Sequence, residues 1–274
     1  MRIHTNAKIN LTLDITGKRN DGYHLIESIF TPIPFCDVLD IELSNDIRVT
    51  TTMSYIPTDS RNLAYKAAEL FFNETRIKGG AKIHITKNIP IRAGLGGGSS
   101  NAAGVLTALN NLYNANLSIQ ALSDIGVKIG ADVPFHILNK TVLAEGIGEI
   151  LTHLPPPPPC TMAVIIPDFG VSTVKAFNHF NIADENILRP NTKMAIEALQ
   201  NQDLTMLGHA VGNALESSVA SLFPKINEMK TVLLSAGAIC ASMTGSGSCV
   251  FGIFPPNSAP PVRFANSKVI MLNI

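Results

Sequence analysis

The stretch IRAGLGGGSSNAAG, residues 91–104, carries glycine at four of the five positions from 94 to 98, then Ser99 and Ser100, then small apolar residues. Beyond it Ala102, Val105, Leu106, Leu109, Leu112 and Tyr113 recur at helical spacing, so the glycines open a helix, with Ser99 or Ser100 placed to cap its first turn. The first N–H groups of a helix lack intrahelical partners and sit at the positive end of its dipole. Glycine lets an anion touch that backbone directly. A tight turn where strand and helix approach closely would explain one or two glycines; four with paired serines fit a phosphate cradle better.

Two common phosphate motifs fail against the residues. A P-loop needs GxxxxGK followed by Ser or Thr, and no lysine follows these glycines. The dinucleotide fingerprint would use Gly94 and Gly96 but meets Ser99 at its third glycine, and ANLSIQAL downstream lacks the acidic ribose ligand. Hydride transfer is therefore not expected.

Working outward, AKIHITKNI before the loop alternates like a strand, and NLAYKAAELFF before that places Leu63, Ala67, Leu70 and Phe71 at helical spacing. Residues 2–15 alternate too: Ile3, Thr5, Ala7, Ile9, Leu11, Leu13 and Ile15 on one side, with Lys8 and Asn10 on a polar side that a wet strand face would also explain. GKRNDGYH, residues 17–24, reads as the turn into a second strand around LIESIFTPI. After the glycine helix come a helix over SIQALSDIGVKIG, the turn GADVPF, and the strand-like TVLAEGIGEIL. Five prolines at 155–159 can continue neither helix nor central strand and mark a boundary between domains 1–154 and 160–274. The second half holds the strand TMAVIIP, helices at TKMAIEALQ and around INEMKTVLLSAG, and a second glycine cluster, MTGSGSCVFGIF, ending in a strand.

The chain has 274 residues, 46% of them hydrophobic, enough to bury a core. Its 21 basic and 21 acidic residues cancel, and no basic patch interleaved with aromatics supports a nucleic-acid partner; a small molecule is expected instead. The N-terminus lacks a signal-peptide core and no stretch approaches a membrane span, so a cytosolic protein with no membrane partner is expected. Cys36, Cys160, Cys240 and Cys249 form no CxxC pair and read as reduced structural thiols.

The run Pro90-x-x-x-Gly94-Leu95-Gly96-Gly97-Gly98-Ser99-Ser100-Asn101-Ala102-Ala103 resembles the ATP-binding signature of the GHMP small-molecule kinases. Three further stretches, NAKINLTLDITGKRNDGYH at 6–24, GADVPF at 130–135 and MTGSGSCVFG at 243–252, resemble motifs of the 4-diphosphocytidyl-2-C-methyl-D-erythritol kinases within that superfamily. The resemblance implies an α+β, two-domain GHMP kinase fold: an N-terminal domain like the second domain of ribosomal protein S5 and a ferredoxin-like C-terminal domain. It further implies transfer of the ATP γ-phosphoryl group to the 2-hydroxyl of the methylerythritol unit, a step of the non-mevalonate route to isoprenoid precursors.

Site roles follow from the same resemblance. Asp132 matches the catalytic aspartate as general base, although Asp before Val133-Pro134 is also a natural helix N-cap. Lys8 matches the lysine that keeps that carboxylate ionised and offsets charge on the transferring group, with Asn10 as an acceptor-site hydrogen bonder. Tyr23 and His24 match the cytosine site, Phe177 a second stacking face and Thr173 a nearby hydroxyl. Gly245, Ser246 and Gly247 match a loop against the active site, for which a plain hairpin turn is the alternative. The glycine-loop residues surround the triphosphate, with Mg²⁺ between its β- and γ-phosphates and no protein carboxylate assigned to the metal. Asn62 and Lys87 fall near the adenosine end, where capping and surface roles are the ordinary alternatives. Arg92 stands where a small residue is expected, and the tail FPPNSAPPVRFANSKVIMLNI is short where relatives have a longer helix. Another GHMP kinase, acting on homoserine, a sugar or a mevalonate derivative, and a non-catalytic ATP-binding homologue are the competing readings; GYH at 22–24 argues against the first and retention of Lys8 with Asp132 against the second.

Overall fold

The computed structural model describes every residue except Ala183, Glu185, Asn186 and Ala259. In chain order, the first half forms β1 (Arg2–Lys18), β2 (His24–Ser44), β3 (Ile47–Thr51), α1 (Leu63–Thr75), β4 (Gly80–Thr86), α2 (Gly97–Leu112), α3 (Ile119–Ile129) and α4 (Val133–Leu138). Then follow β5 (Val142–Glu145), β6 (Ile150–His153), β7 (Thr161–Pro167), α5 (Thr173–His179), α6 (Thr192–Asn201), α7 (Leu204–Ala210) and β8 (Gly212–Asn213). The chain closes with α8 (Glu216–Leu222), α9 (Lys225–Ser235), β9 (Cys240–Met243), β10 (Val250–Phe254) and β11 (Ser267–Asn273). None of the described helices is long and apolar enough to cross a membrane.

Two compact units are discontinuous along the chain. One comprises Met1–Ala7, Phe35–Pro90 and Gly96–Asn139, the other Lys8–Pro34, Ile91–Leu95 and Lys140–Ile274. The proline run 155–159 lies inside the second unit, between β6 and β7.

In the first unit β4 pairs with the end of β2 antiparallel and with β3 parallel, giving the order β3-β4-β2. Helices α1, α2 and α3 bury Phe71, Leu106, Leu109, Leu122 and Ile125 in one cluster with Leu39, Ile41, Ile83 and Ile85 of the strands. Each such fully buried side chain contributes about 1.5–3 kcal/mol relative to exposure. The small residues of α2 have a packing reason: a side chain at Gly104 would run into Thr5 and come within 3.0 Å of Ile3. Glycine at 104 lets α2 lie that close to β1.

The second unit contains an antiparallel sheet in the order β11-β7-β10-β9. The tail supplies its edge strand β11, antiparallel to β7. Thr12 and Leu13 of β1 pair in parallel with β8, and Ser28–Phe30 of β2 pair antiparallel with β5. TVLAEGIGEIL forms two strands instead of one: Gly146 (φ 71°) and Gly148 (φ 115°) take the left-handed conformations that reverse the chain, and β5 pairs back on β6.

Candidate active site

The glycine loop does not begin its helix as the serines suggest. Gly96, at φ 70°, is the N-cap of α2 and no side chain caps it, so helical geometry has already begun when Ser99 and Ser100 arrive. Ser100 instead donates from Oγ to the carbonyl of Asn6 at 2.7 Å, and its side chain is buried. Ser100→Ala is expected to cost about 1 kcal/mol by losing that bond. Urea denaturation checks it, and Ser99→Ala, without such a bond, serves as the comparison. The first turn of α2 therefore has no side-chain cap.

The first unit also holds Pro90, Asn62, Lys87, Asn101 and Asp132. Asn62 caps α1, its Oδ1 accepting from Ala64 N at 2.9 Å and its Nδ2 donating to the Pro57 carbonyl at 2.7 Å, so both ends of the amide are engaged. Lys87 is buried and paired with Asp37 at 2.5 Å; burial lowers its pKa while Asp37 opposes the shift. Asp132 occupies the N-cap position of α4, yet its carboxylate makes no capping bond to that helix, so the capping alternative loses its hydrogen bond.

The second unit gathers Lys8, Asn10, Gly94, Leu95 and the second glycine cluster. Lys8 N donates to the Leu95 carbonyl at 3.0 Å, while Ala93 and Arg92 carbonyls accept from Cys249 N (3.2 Å) and Val171 N (3.0 Å). Arg92 itself takes a left-handed φ of 53°, a conformation an unbranched polar side chain accepts at a cost. Thr244 Oγ1 accepts from Asn10 N at 3.0 Å and donates toward Asn10 Oδ1 (3.3 Å) and the Gly94 carbonyl (3.4 Å). Asn10 Oδ1 also accepts from Lys8 Nζ at 2.8 Å, and its Nδ2 donates to Ser28 Oγ at 2.9 Å. Lys8 Nζ lies 4.0 Å over the Phe30 ring. The side of β1 that could have been wet is therefore buried from Lys8 through Thr12, and Asn10 aims the lysine.

Elsewhere in this unit the His24 and Phe177 rings stand 5.3 Å apart at 39°, with Phe180 edge-on to His24 at 6.4 Å. Partial burial, with Lys18 adding to it, lowers the His24 pKa and favours the neutral ring, which can both donate and accept. Tyr23 is exposed beside it. Thr173 Oγ1 and Ser246 Oγ are 3.0 Å apart, bringing two sequence-expected residues into one hydrogen bond. Gly245 (φ 57°) and Gly247 (φ 83°) turn the chain between the antiparallel strands β9 and β10.

Sequence reasoning missed Thr244, Asn213 and Asp37. Asn213 Nδ2 donates to the carbonyls of Met243 and Gly245, both at 2.8 Å, holding the second glycine turn from β8, a strand too short to carry a periodic signal. Asp37 carried a usable signal: it is in phase with Leu39 and Ile41, the buried side of β2. Among the described residues no group of three or more His, Cys, Asp or Glu is placed to hold a metal ion.

Comparison with known proteins closes the question of family. The model for the GHMP kinase N-terminal domain matches residues 62–140 and that for the GHMP kinase C-terminal domain residues 195–269. A 4-diphosphocytidyl-2-C-methyl-D-erythritol kinase from Clostridium perfringens is 45% identical over 258 residues, 93% of this chain and 88% of the relative. The chain belongs to the 4-diphosphocytidyl-2-C-methyl-D-erythritol kinase family of GHMP kinases. A crystal structure of a 4-(cytidine 5'-diphospho)-2C-methyl-D-erythritol kinase matches this kinase with a TM-score of 0.81 and 32% identity, over 100% of this chain and 98% of that one. Homoserine kinase from Cytophaga hutchinsonii matches with a TM-score of 0.77 but 19% identity, over 100% and 95%, a likeness of fold alone. The α+β GHMP kinase fold and ATP-dependent small-molecule kinase activity expected from the sequence are thereby established.

Proposed function

We propose that this kinase transfers the γ-phosphoryl group of ATP to the 2-hydroxyl of 4-diphosphocytidyl-2-C-methyl-D-erythritol. The observation that carries the choice of acceptor is the His24–Phe177 ring pair beside Tyr23, because an apolar face next to an edge that can donate and accept is what a pyrimidine base needs. Homoserine, a sugar or mevalonate has no flat ring to use it.

In the proposed mechanism the acceptor oxygen attacks the γ-phosphorus, the bond to the β,γ-bridging oxygen breaks, and ADP leaves with that electron pair. Asp132 takes the hydroxyl proton. Lys8, aimed by Asn10, stabilises negative charge on the transferring group. Pro90, Gly94–Asn101, Asn62 and Lys87 form the nucleotide side; Thr173 and Gly245–Gly247 join Tyr23, His24 and Phe177 on the acceptor side. The Ser99 hydroxyl would be the loop side chain left to hold Mg²⁺, which when bound would supply charge neutralisation on the β- and γ-phosphates. The family models flank the proline run, which supports 1–154 and 160–274 as the family domains. Cys160, Cys240 and Cys249 are buried thiols, with Cys160 pushed up to about 11 and Cys240 to about 12 by burial.

The test is purified kinase with Mg-ATP and the cytidine-linked acceptor, run beside homoserine, galactose and mevalonate, with ADP and product measured. Turnover of the cytidine acceptor alone is expected. Turnover of only one of the others overturns the proposal.

A further inference from the structure

Asp37 is a fully buried carboxylate that no catalytic step above uses, and four donors converge on it. Its Oδ1 accepts from the backbone N–H groups of Asn88 (2.7 Å) and Ile89 (2.8 Å). Its Oδ2 accepts from Lys87 Nζ (2.5 Å) and from Asn101 Nδ2 (2.8 Å). Asn101 lies in the second turn of α2, and the same Nδ2 also donates to Thr5 Oγ1 at 3.0 Å, so its amide is bound into the interior of this unit. On the other side of the ion pair, a Cβ at Gly97 would stand 2.8 Å from Lys87 Nζ, which puts the ammonium against the first helical residue of the glycine loop.

We infer that Asp37 is a positioning residue for the nucleotide: it ties the segment before the loop, the Lys87 ammonium and the second turn of α2 to one point, and so fixes where the Gly97 N–H is presented. Asp37 and Lys87 together are neutral, so the pair adds no net attraction for a triphosphate. A buried ion pair is also weak ground for stability, because desolvation offsets the Coulombic gain. What remains is geometry. The pair and the two backbone bonds define the approach of Asn88 and Ile89, and the Asn101 bond defines the helix that starts at Gly97. The first N–H groups of α2 are useful to a phosphate only if they are already aimed when it arrives. Deepening the ATP side of the proposed function, this inference rests on that reading.

Asp37→Asn tests it. Asparagine keeps the shape and the Oδ1 acceptor for Asn88 and Ile89 but turns an NH₂ toward two donors. The direct readout is calorimetric titration with Mg-ATP in the absence of acceptor, followed by steady-state kinetics. We expect the Kd and KM for Mg-ATP to rise about tenfold, one good charge-assisted hydrogen bond's share, with acceptor KM within about twofold of the unsubstituted enzyme. A lower Tm with unchanged Mg-ATP affinity in the folded protein means a merely structural carboxylate and overturns the inference. Asn101→Ala, which leaves the ion pair intact, covers the case in which Asp37→Asn does not fold: it should weaken Mg-ATP about threefold to fivefold, and unchanged affinity overturns the inference equally. If the unsubstituted protein itself binds no Mg-ATP, the proposed function falls; if it binds and the variants bind as well, only the role of Asp37 falls.

Discussion

Asp132→Asn is expected to lower kcat by about 10²–10⁴-fold, the usual contribution of a positioned general base, while leaving the protein folded. Asparagine has nearly the shape of aspartate and can still hydrogen-bond, but it takes no proton near neutral pH. An N-cap bond is worth roughly 1 kcal/mol, and Asp132 makes none to that helix; asparagine keeps the shape and an oxygen acceptor for the contacts the side chain does make, so the midpoint of urea unfolding should stay close to that of the unsubstituted enzyme. The measurements are single-turnover phosphoryl transfer and denaturant unfolding on the same preparations, with Mg-ATP affinity as the control. Transfer within a few fold of normal removes the base role. A loss of 1–2 kcal/mol of stability with normal transfer restores the cap instead.

The sequence made the glycine loop, the strand before it and the helix after it readable because each repeats a local rule: alternation, 3.6-residue periodicity, and glycine where backbone must be bare. It also made Lys8, Asp132, Tyr23, His24 and Phe177 nameable as candidates, through a resemblance of motifs. It misread the start of α2, because Ser99 and Ser100 have cap chemistry and only the φ of 70° at Gly96 shows that the helix begins earlier. It left the far side of β1 ambiguous, since Lys8 and Asn10 look the same on paper whether solvated or held by Thr244 and Ser28, residues 234 and 18 positions from Asn10. Such long-range partners have no local signature. Asp37 lies between these cases: its phase with Leu39 and Ile41 was legible, but its four donors come from segments at least 50 residues away.

Gly94→Ala is expected to damage the fold, and the reason also links the glycine loop to Lys8. Gly94 sits at φ 76°, where a Cβ costs about 1–2 kcal/mol. That Cβ would also overlap the Thr244 carbonyl oxygen and come within 3.3 Å of Gly247 N. Both neighbours are backbone, so relief requires moving a chain segment, a further cost of about 1–3 kcal/mol. The combined loss of about 2–5 kcal/mol should lower Tm by roughly 5–15 °C for a chain of this size. Any shift of Thr244 pulls on its bonds to Asn10, and Asn10 aims Lys8, so the folded fraction should also show a lower kcat. Gly98→Ala is the control. Gly98 is exposed within α2, its Cβ would meet Leu63 Cδ1 at 3.3 Å, and alanine is the better helix former, so stability should change by less than about 1 kcal/mol. Any fall in Mg-ATP affinity in that variant then reports crowding of the loop's outer surface directly. Equal destabilisation by the two alanines would show that the Thr244 carbonyl does not govern what residue 94 can be.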